Sequence, residues 1–121
     1  MATHNDLGRK GEEIAARYLQ ENGYELLDAN WCYGKAEIDL IAYIDGQIIF
    51  VEVKTRTTTA FGFPEEFVTL SKQKLLQSAA EAYIDVMNHE GEVRFDIISV
   101  IFNKQQFNIN HIKDAFWPIS T

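Results

Sequence analysis

The chain has 121 residues, enough for one domain (residues 1–121) and one core. With 46 % apolar and 24 % charged residues it is not disordered by composition, and its longest apolar runs, such as Ile48-Ile49-Phe50-Val51, fall far short of the about 20 residues that span a bilayer. Eighteen acidic against 11 basic residues give a net charge of −7, which on composition alone weighs against a nucleic-acid partner, because such binding rests largely on phosphate neutralisation.

The first residues, Met1-Ala2-Thr3-His4-Asn5-Asp6, lack a charged-then-apolar leader pattern, so a cytoplasmic protein is expected. A helix follows from about Asp6 to Asn22, capped by Asn5 or Asp6 and ended by Asn22-Gly23. Leu7, Ile14, Ala15, Tyr18 and Leu19 make its apolar stripe, Glu13 and Arg17 are spaced as a solvent-side ion pair, and Glu12 sits at the edge of the buried face. A strand is predicted from Tyr24 to Trp31, then a turn over Cys32-Tyr33-Gly34-Lys35. Cys32 is the single cysteine, so no internal disulfide or multi-cysteine zinc site can form. Two strands, Glu37–Ile44 and Gln47–Thr55, flank Asp45-Gly46, a strong hairpin signal. Residues 56 to 70 read as a loop broken by Gly62 and Pro64. Thr69 or Ser71 caps a second helix to about Met87, with Leu75, Leu76, Ala79, Ala82, Tyr83 and Val86 inward. Strands over Val93–Phe102 and Gln106–His111 close the chain. The order αβββαββ predicts an α/β fold, a mixed sheet flanked by helices.

The two-residue turn fixes the hairpin register. Ile44 faces Gln47, Ala42 faces Ile49, Leu40 faces Val51 and Ile38 faces Val53, all on one apolar face. The other face then sets Ile41 against Phe50, Asp39 against Glu52 and Glu37 against Lys54. Like charges directly opposite on paired strands are destabilising. Asp39 and Glu52 therefore call for a shared proton or a cation between them. With Lys54 pointing the same way, the trio suits a hard divalent cation and metal-assisted hydrolysis of a phosphodiester. The alternative is a solvated ladder of ion pairs, since a lone Asp and Glu-x-Lys recur by chance.

Further marks sharpen this. Glu37-Ile38-Asp39-Leu40-Ile41 and Phe50-Val51-Glu52-Val53-Lys54-Thr55-Arg56 resemble the uncharacterised YraN-like proteins of bacteria. So do Gly8-Arg9-Lys10-Gly11-Glu12, Phe61-Gly62-Phe63-Pro64-Glu65-Glu66, Arg94-Phe95-Asp96 and His111-Ile112-Lys113-Asp114-Ala115-Phe116. That family is similar to the PD-(D/E)xK nucleases, with the restriction-endonuclease-like fold, and to archaeal Holliday-junction resolvases. The resemblance implies a catalytic set of Asp39, Glu52 and Lys54, with Glu12 as the extra acidic residue of resolvase-like members. It implies Mg²⁺ or Mn²⁺ on Asp39, Glu52, the Val53 carbonyl and Glu12. Ile38 replaces the superfamily's proline, and Lys35-Ala36 stands where many relatives have a glycine before Glu37.

DNA, branched or damaged, is the implied substrate. Arg9, Lys10, Lys35, Arg56, Lys72 and Lys74 are its candidate phosphate contacts, the alternative for each being plain solvated surface. Symmetric resolvases imply a homodimer, and the acidic balance predicts either weak, strongly salt-dependent binding at a local patch near Lys54, Arg56 and Lys72 or a requirement for a partner protein. The rivals are a non-catalytic nucleic-acid-binding module and a protein-interaction domain on the same fold. Arg94 and Asp96 alternate onto one face and are expected to pair structurally. The scattered His4, His89 and His111 suggest no histidine metal site, and Trp31, Trp117 and Cys32 are read as packing residues.

Overall fold

Asp45 and Gly46 turn the chain as their sequence predicts. In the computed structural model, which describes residues 4–57, 68–104 and 106–116, both have positive φ, 49° and 79°. That is the requirement of a type I′ hairpin turn. They join β2 (Ala36–Ile44) to β3 (Gln47–Arg56), with Ile44 opposite Gln47, Ala42 opposite Ile49 and Leu40 opposite Val51. Around this hairpin lie α1 (His4–Glu21), β1 (Glu25–Tyr33), α2 (Leu70–Met87), β4 (Val93–Asn103) and β5 (Gln106–Ile112). The order is αβββαββ, as expected. The sheet runs β1-β2-β3-β4-β5, antiparallel except for β3 beside β4. Parallel neighbours need a crossover, and α2 lies in it.

Each helix covers one face of the sheet. Ala15 and Leu19 of α1 pack on Leu40, Ala42, Ile49, Val51, Ile98 and Val100. Leu76, Ala79, Ala80 and Tyr83 of α2 pack on Ile41, Ile48, Phe50, Phe95 and Ile97. Burial on both faces explains why the central strands read as continuous apolar runs. Each fully buried Ile or Phe stabilises the fold by about 1.5–3 kcal/mol.

Three expectations change, and the choice between Thr69 and Ser71 as the cap of α2 is decided. Helix α1 runs over His4–Glu21, so Asn5 and Asp6 lie within it rather than ahead of it at a cap position. In α2 the buried stripe is 76, 79, 80 and 83, while Leu75 and Val86, on its flanks, are 43 % and 72 % exposed. Thr69 is the N-cap, accepting from the Lys72 amide at 3.2 Å. Ile38 joins Ala36 and Ile41 in the cluster under α2, on the opposite side from Leu40 and Ala42. The strand thus switches facing around Asp39. Phe61 to Glu66, with the expected loop breakers Gly62 and Pro64 among them, and Trp117 lie outside the described residues.

A buried polar network ties β5 to β4 and α1. Asp96, fully buried, accepts from Arg94 Nε and Nη2, both at 2.8 Å, from the Asp114 amide at 3.0 Å and lies 2.7 Å from His111 Nε2. Burial alone would raise its pKa, but hydrogen bonds from His111, Arg94 and Asp114 outweigh that and hold it below the usual range. Tyr18 Oη meets His111 Nδ1 at 3.0 Å, and Arg94 donates to Tyr24 Oη at 3.0 Å. The Arg94–Asp96 pair is as expected. The role of His111 was not legible, because β5 brings it in across 15 residues of sequence.

Helix α1 seats on β3 through Gly11. A Cβ there would overlap Thr55 Oγ1 and stand 3.1 Å from Thr55 Cβ. Gly11→Ala is expected to lower stability by about 1–3 kcal/mol in urea melts, with Thr55→Ala in the same chain restoring much of it. A neutral Gly11→Ala would contradict this seating.

Candidate functional site

The hairpin register runs as far as Leu40 opposite Val51 and then ends. Beyond it β2 stays with β1, through Ile38–Trp31 and Glu37–Cys32, while β3 stays with β4 as far as Arg56–Ile101. The pairs expected from sequence, Asp39–Glu52, Ile38–Val53 and Glu37–Lys54, therefore do not form as ladder pairs. A type I′ turn makes Ile44 and Gln47 a bonded pair, and the alternation would make Ile38 and Val53 another. Instead the Val53 amide donates to Asp39 Oδ2 at 2.8 Å. A side chain thus takes a bond that the ladder would have used, and the two strands fork around it.

Asp39 and Glu52 stand at this fork, 8 % and 6 % exposed. Burial, then the Glu52 charge and a hydrogen bond to Glu52, push the Asp39 carboxyl up to about 8, against a smaller lowering by the Val53 amide. At neutral pH the pair holds a proton, the first of the two resolutions that like charges in a sheet demand. Glu52 Oε1 also accepts from Lys72 Nζ of α2 at 3.3 Å, while Glu52 Oε2 is buried with no hydrogen-bond partner among the described residues.

Lys54 shares the Glu52 side of β3. Burial foremost, then the Lys72 charge, lower its pKa, against the pull of Glu52 and Asp39. Ser99, registered beside Lys54 on β4, is buried with its hydroxyl unpartnered among the described residues. Glu12 approaches from α1. Burial raises its pKa, a hydrogen bond from Asn30 partly offsets this, and the Glu37 and Glu52 charges add to it. Asn30 lies in β1 with φ of 52°.

Lys35 and Lys72 line a common cavity of about 300 Å³ with Glu37, Thr69 and Ser71. Lys72 is also the Glu52 partner, which its sequence position did not reveal, since 20 residues separate the two. Arg56 continues the Lys54 side of β3, and Arg9 is exposed on α1, outside this cavity. Trp31 packs edge-on against Tyr83, with ring centres 5.1 Å apart, and the half-exposed Tyr33 stacks on it at 6.2 Å. Cys32 is exposed, contrary to its reading as a packing residue, and its thiol donates to Glu37 at 3.6 Å.

The donor set fits a divalent cation. Two buried carboxylates, one with an unpartnered oxygen, match the one or two carboxylates plus waters that hold Mg²⁺. No group of three or more His, Cys, Asp or Glu among the described residues converges on one point. Glu12 therefore acts on the pair through its charge.

The five-stranded mixed sheet between two helices, with its acidic pair at a hairpin fork, is an α/β architecture consistent with the restriction-endonuclease-like class. Residues 11–100 match the uncharacterised protein family UPF0102, and the chain belongs to that family. Its relatives include UPF0102 proteins of Bacteroides thetaiotaomicron, 47 % identical, and Flavobacterium psychrophilum, 44 % identical. The first alignment covers 98 % of both chains, the second 97 % of this chain and 98 % of the relative. A UPF0102 protein of Chlorobium chlorochromatii is 43 % identical over 93 % of this chain and 92 % of its own. The YraN-like resemblance agrees with this membership. Among the described residues no helix is long and apolar enough to cross a membrane.

Between about pH 4 and 8 the folded chain keeps a proton on Asp39 that the unfolded chain releases. The stability this proton confers is full below that window and lost as pH rises through it. In metal-free buffer, the Tm of Asp39→Asn relative to wild type is expected to be higher at pH 9 than at pH 5. An equal difference at both values would mean that Asp39 ionises freely in the fold.

Proposed function

We propose that this protein is a metal-dependent nuclease that hydrolyses phosphodiester bonds in DNA. The observation that carries the reading is the buried Asp39–Glu52 pair with Lys54 on the next outward position of the same strand. An ordinary surface ladder has no reason to bury two carboxylates side by side at a cost in ionisation. Asp39, Glu52 and the Val53 carbonyl are the groups that would hold Mg²⁺ or Mn²⁺, with Glu12 as the additional acid. A bound ion supplies Lewis acidity toward the phosphate and lowers the pKa of its water.

The chain's own residues do the rest. Lys54, its ammonium made easier to deprotonate by burial and by Lys72, orients the attacking water and exchanges a proton at Nζ. Lys35 and Lys72, around their common cavity, and Arg56 beyond Lys54 contact the flanking phosphates. Lys72 Nζ, 3.3 Å from Glu52 Oε1, would have to leave that oxygen before it could hold an ion. Arg9 stands further out on α1. The preference for branched or damaged DNA rests on the likeness to resolvases.

A second reading has one observation in its favour. The Lys72 ammonium already partners Glu52, as suits a non-catalytic binding or interaction module on an acidic chain.

Wild-type protein is expected to bind Mg²⁺ or Mn²⁺ by calorimetry and to cleave plasmid, single-stranded or four-way-junction DNA. Asp39→Ala and Lys54→Ala should each lose cleavage by about 100-fold or more with the fold intact by circular dichroism. Full activity in either variant, or no metal affinity in wild type, overturns the assignment. Metal binding and junction affinity without cleavage would select the second reading.

A further inference from the structure

A second recess lies on the α1 side of the sheet, between that helix and the β4–β5 hairpin, with a volume of about 380 Å³. That is within the range of ligand sites. Lys10 and Arg17, two helical turns apart, line it from α1, and Lys104 lines it from the hairpin turn. The spacing of Glu13 and Arg17 predicts an ion pair, yet none forms among the described residues, and both side chains face this recess instead. Lys10 and Lys104 likewise have no carboxylate partner among the described residues. Three cations against one carboxylate is a local reversal in a chain of net charge −7.

The floor is aromatic. Phe102 and Phe107 meet edge to face with ring centres 6.3 Å apart, and Phe107 is 48 % exposed. A cationic rim over an exposed ring matches the two halves of a nucleotide, a phosphate and a base. Base–aromatic stacking combined with a positive groove is how single strands are held without sequence preference. A duplex buries its base faces and cannot use the ring. The recess also lies at the end of the sheet toward which Glu52, Lys54 and Arg56 run, since Arg56 is registered with Ile101, the neighbour of Phe102.

We infer that this groove binds single-stranded nucleic acid, with phosphates on Lys10, Arg17 and Lys104 and a base stacked on Phe107. The inference extends the nucleic-acid reading of the protein but does not need the Asp39 site to be catalytic.

The test is fluorescence anisotropy with labelled twelve-residue oligo-dT in EDTA, where cleavage is silent. Phe107→Ala is expected to weaken binding roughly tenfold or more, the loss of one stack. Lys10→Gln, Arg17→Gln and Lys104→Gln together should cut the salt dependence by about 2 in slope. All four residues are exposed, and circular dichroism confirms that the variants fold. Asp85→Asn, exposed on α2 and outside the recess, should in contrast bind oligo-dT like wild type. Absence of wild-type binding, or variants that match wild type in affinity and slope, overturns the groove even if the protein cleaves DNA. A matched duplex bound more tightly than oligo-dT also overturns it. So does an acidic peptide bound equally well with the same Phe107 dependence, which would assign the surface to a protein partner. Oligo-dT binding with these losses in a protein that never cleaves DNA would sustain the groove and remove only the nuclease.

Discussion

Two carboxylates share one buried position where β2 and β3 part. Asp39 turns onto the Val53 amide, which leaves no room for the next rung of the ladder, and the strands fork. The fork puts Asp39 beside Glu52, and burial makes their double ionisation costly. Much around the pair answers that cost. A proton stays on Asp39, Lys72 reaches Glu52 from the start of α2, and Lys54 feels both carboxylates from the next outward position of β3. Glu12 adds a third negative field from α1, which can come close because Gly11 has no side chain to meet Thr55.

Much of this was legible in the sequence because it is local. Asp45-Gly46 between alternating apolar residues gave the turn, and the turn gave the register as far as Leu40–Val51, which leaves Asp39 and Glu52 one position beyond its end, at the fork. What escaped were consequences of the third dimension. Strict alternation puts Ile38 with Leu40, but the fork turns it under α2. The Asp39–Val53 bond, a side chain competing with a backbone rung, has no sequence period. Lys72 and His111 act on partners 20 and 15 residues away, through α2 and through β5. The Glu13–Arg17 spacing promised a pair, yet among the described residues none forms and both side chains line a groove with Phe102, Lys104 and Phe107.

The acidic composition also takes on a different meaning. A net charge of −7 weighs against a polyanionic ligand only if the charge is spread evenly. Here Asp39 and Asp96 are both buried, one holding a proton and the other bound by Arg94 and His111. Lys10, Arg17 and Lys104 meanwhile gather along one recess, and Lys35 and Lys72 along another. The family relationship covers nearly the whole chain, so this arrangement can be sought in close relatives position by position.

The central claim is that Asp39 and Glu52 form one site that must hold either a proton or a cation. The most direct measurement is a carbon-13 NMR titration of the Asp39 carboxyl, with and without saturating Mg²⁺. The account predicts an apparent pKa near 8 without metal and a fall into or below the ordinary carboxylate range, about 4, when Mg²⁺ is bound. An Asp39 that titrates near that ordinary value in both conditions would contradict it.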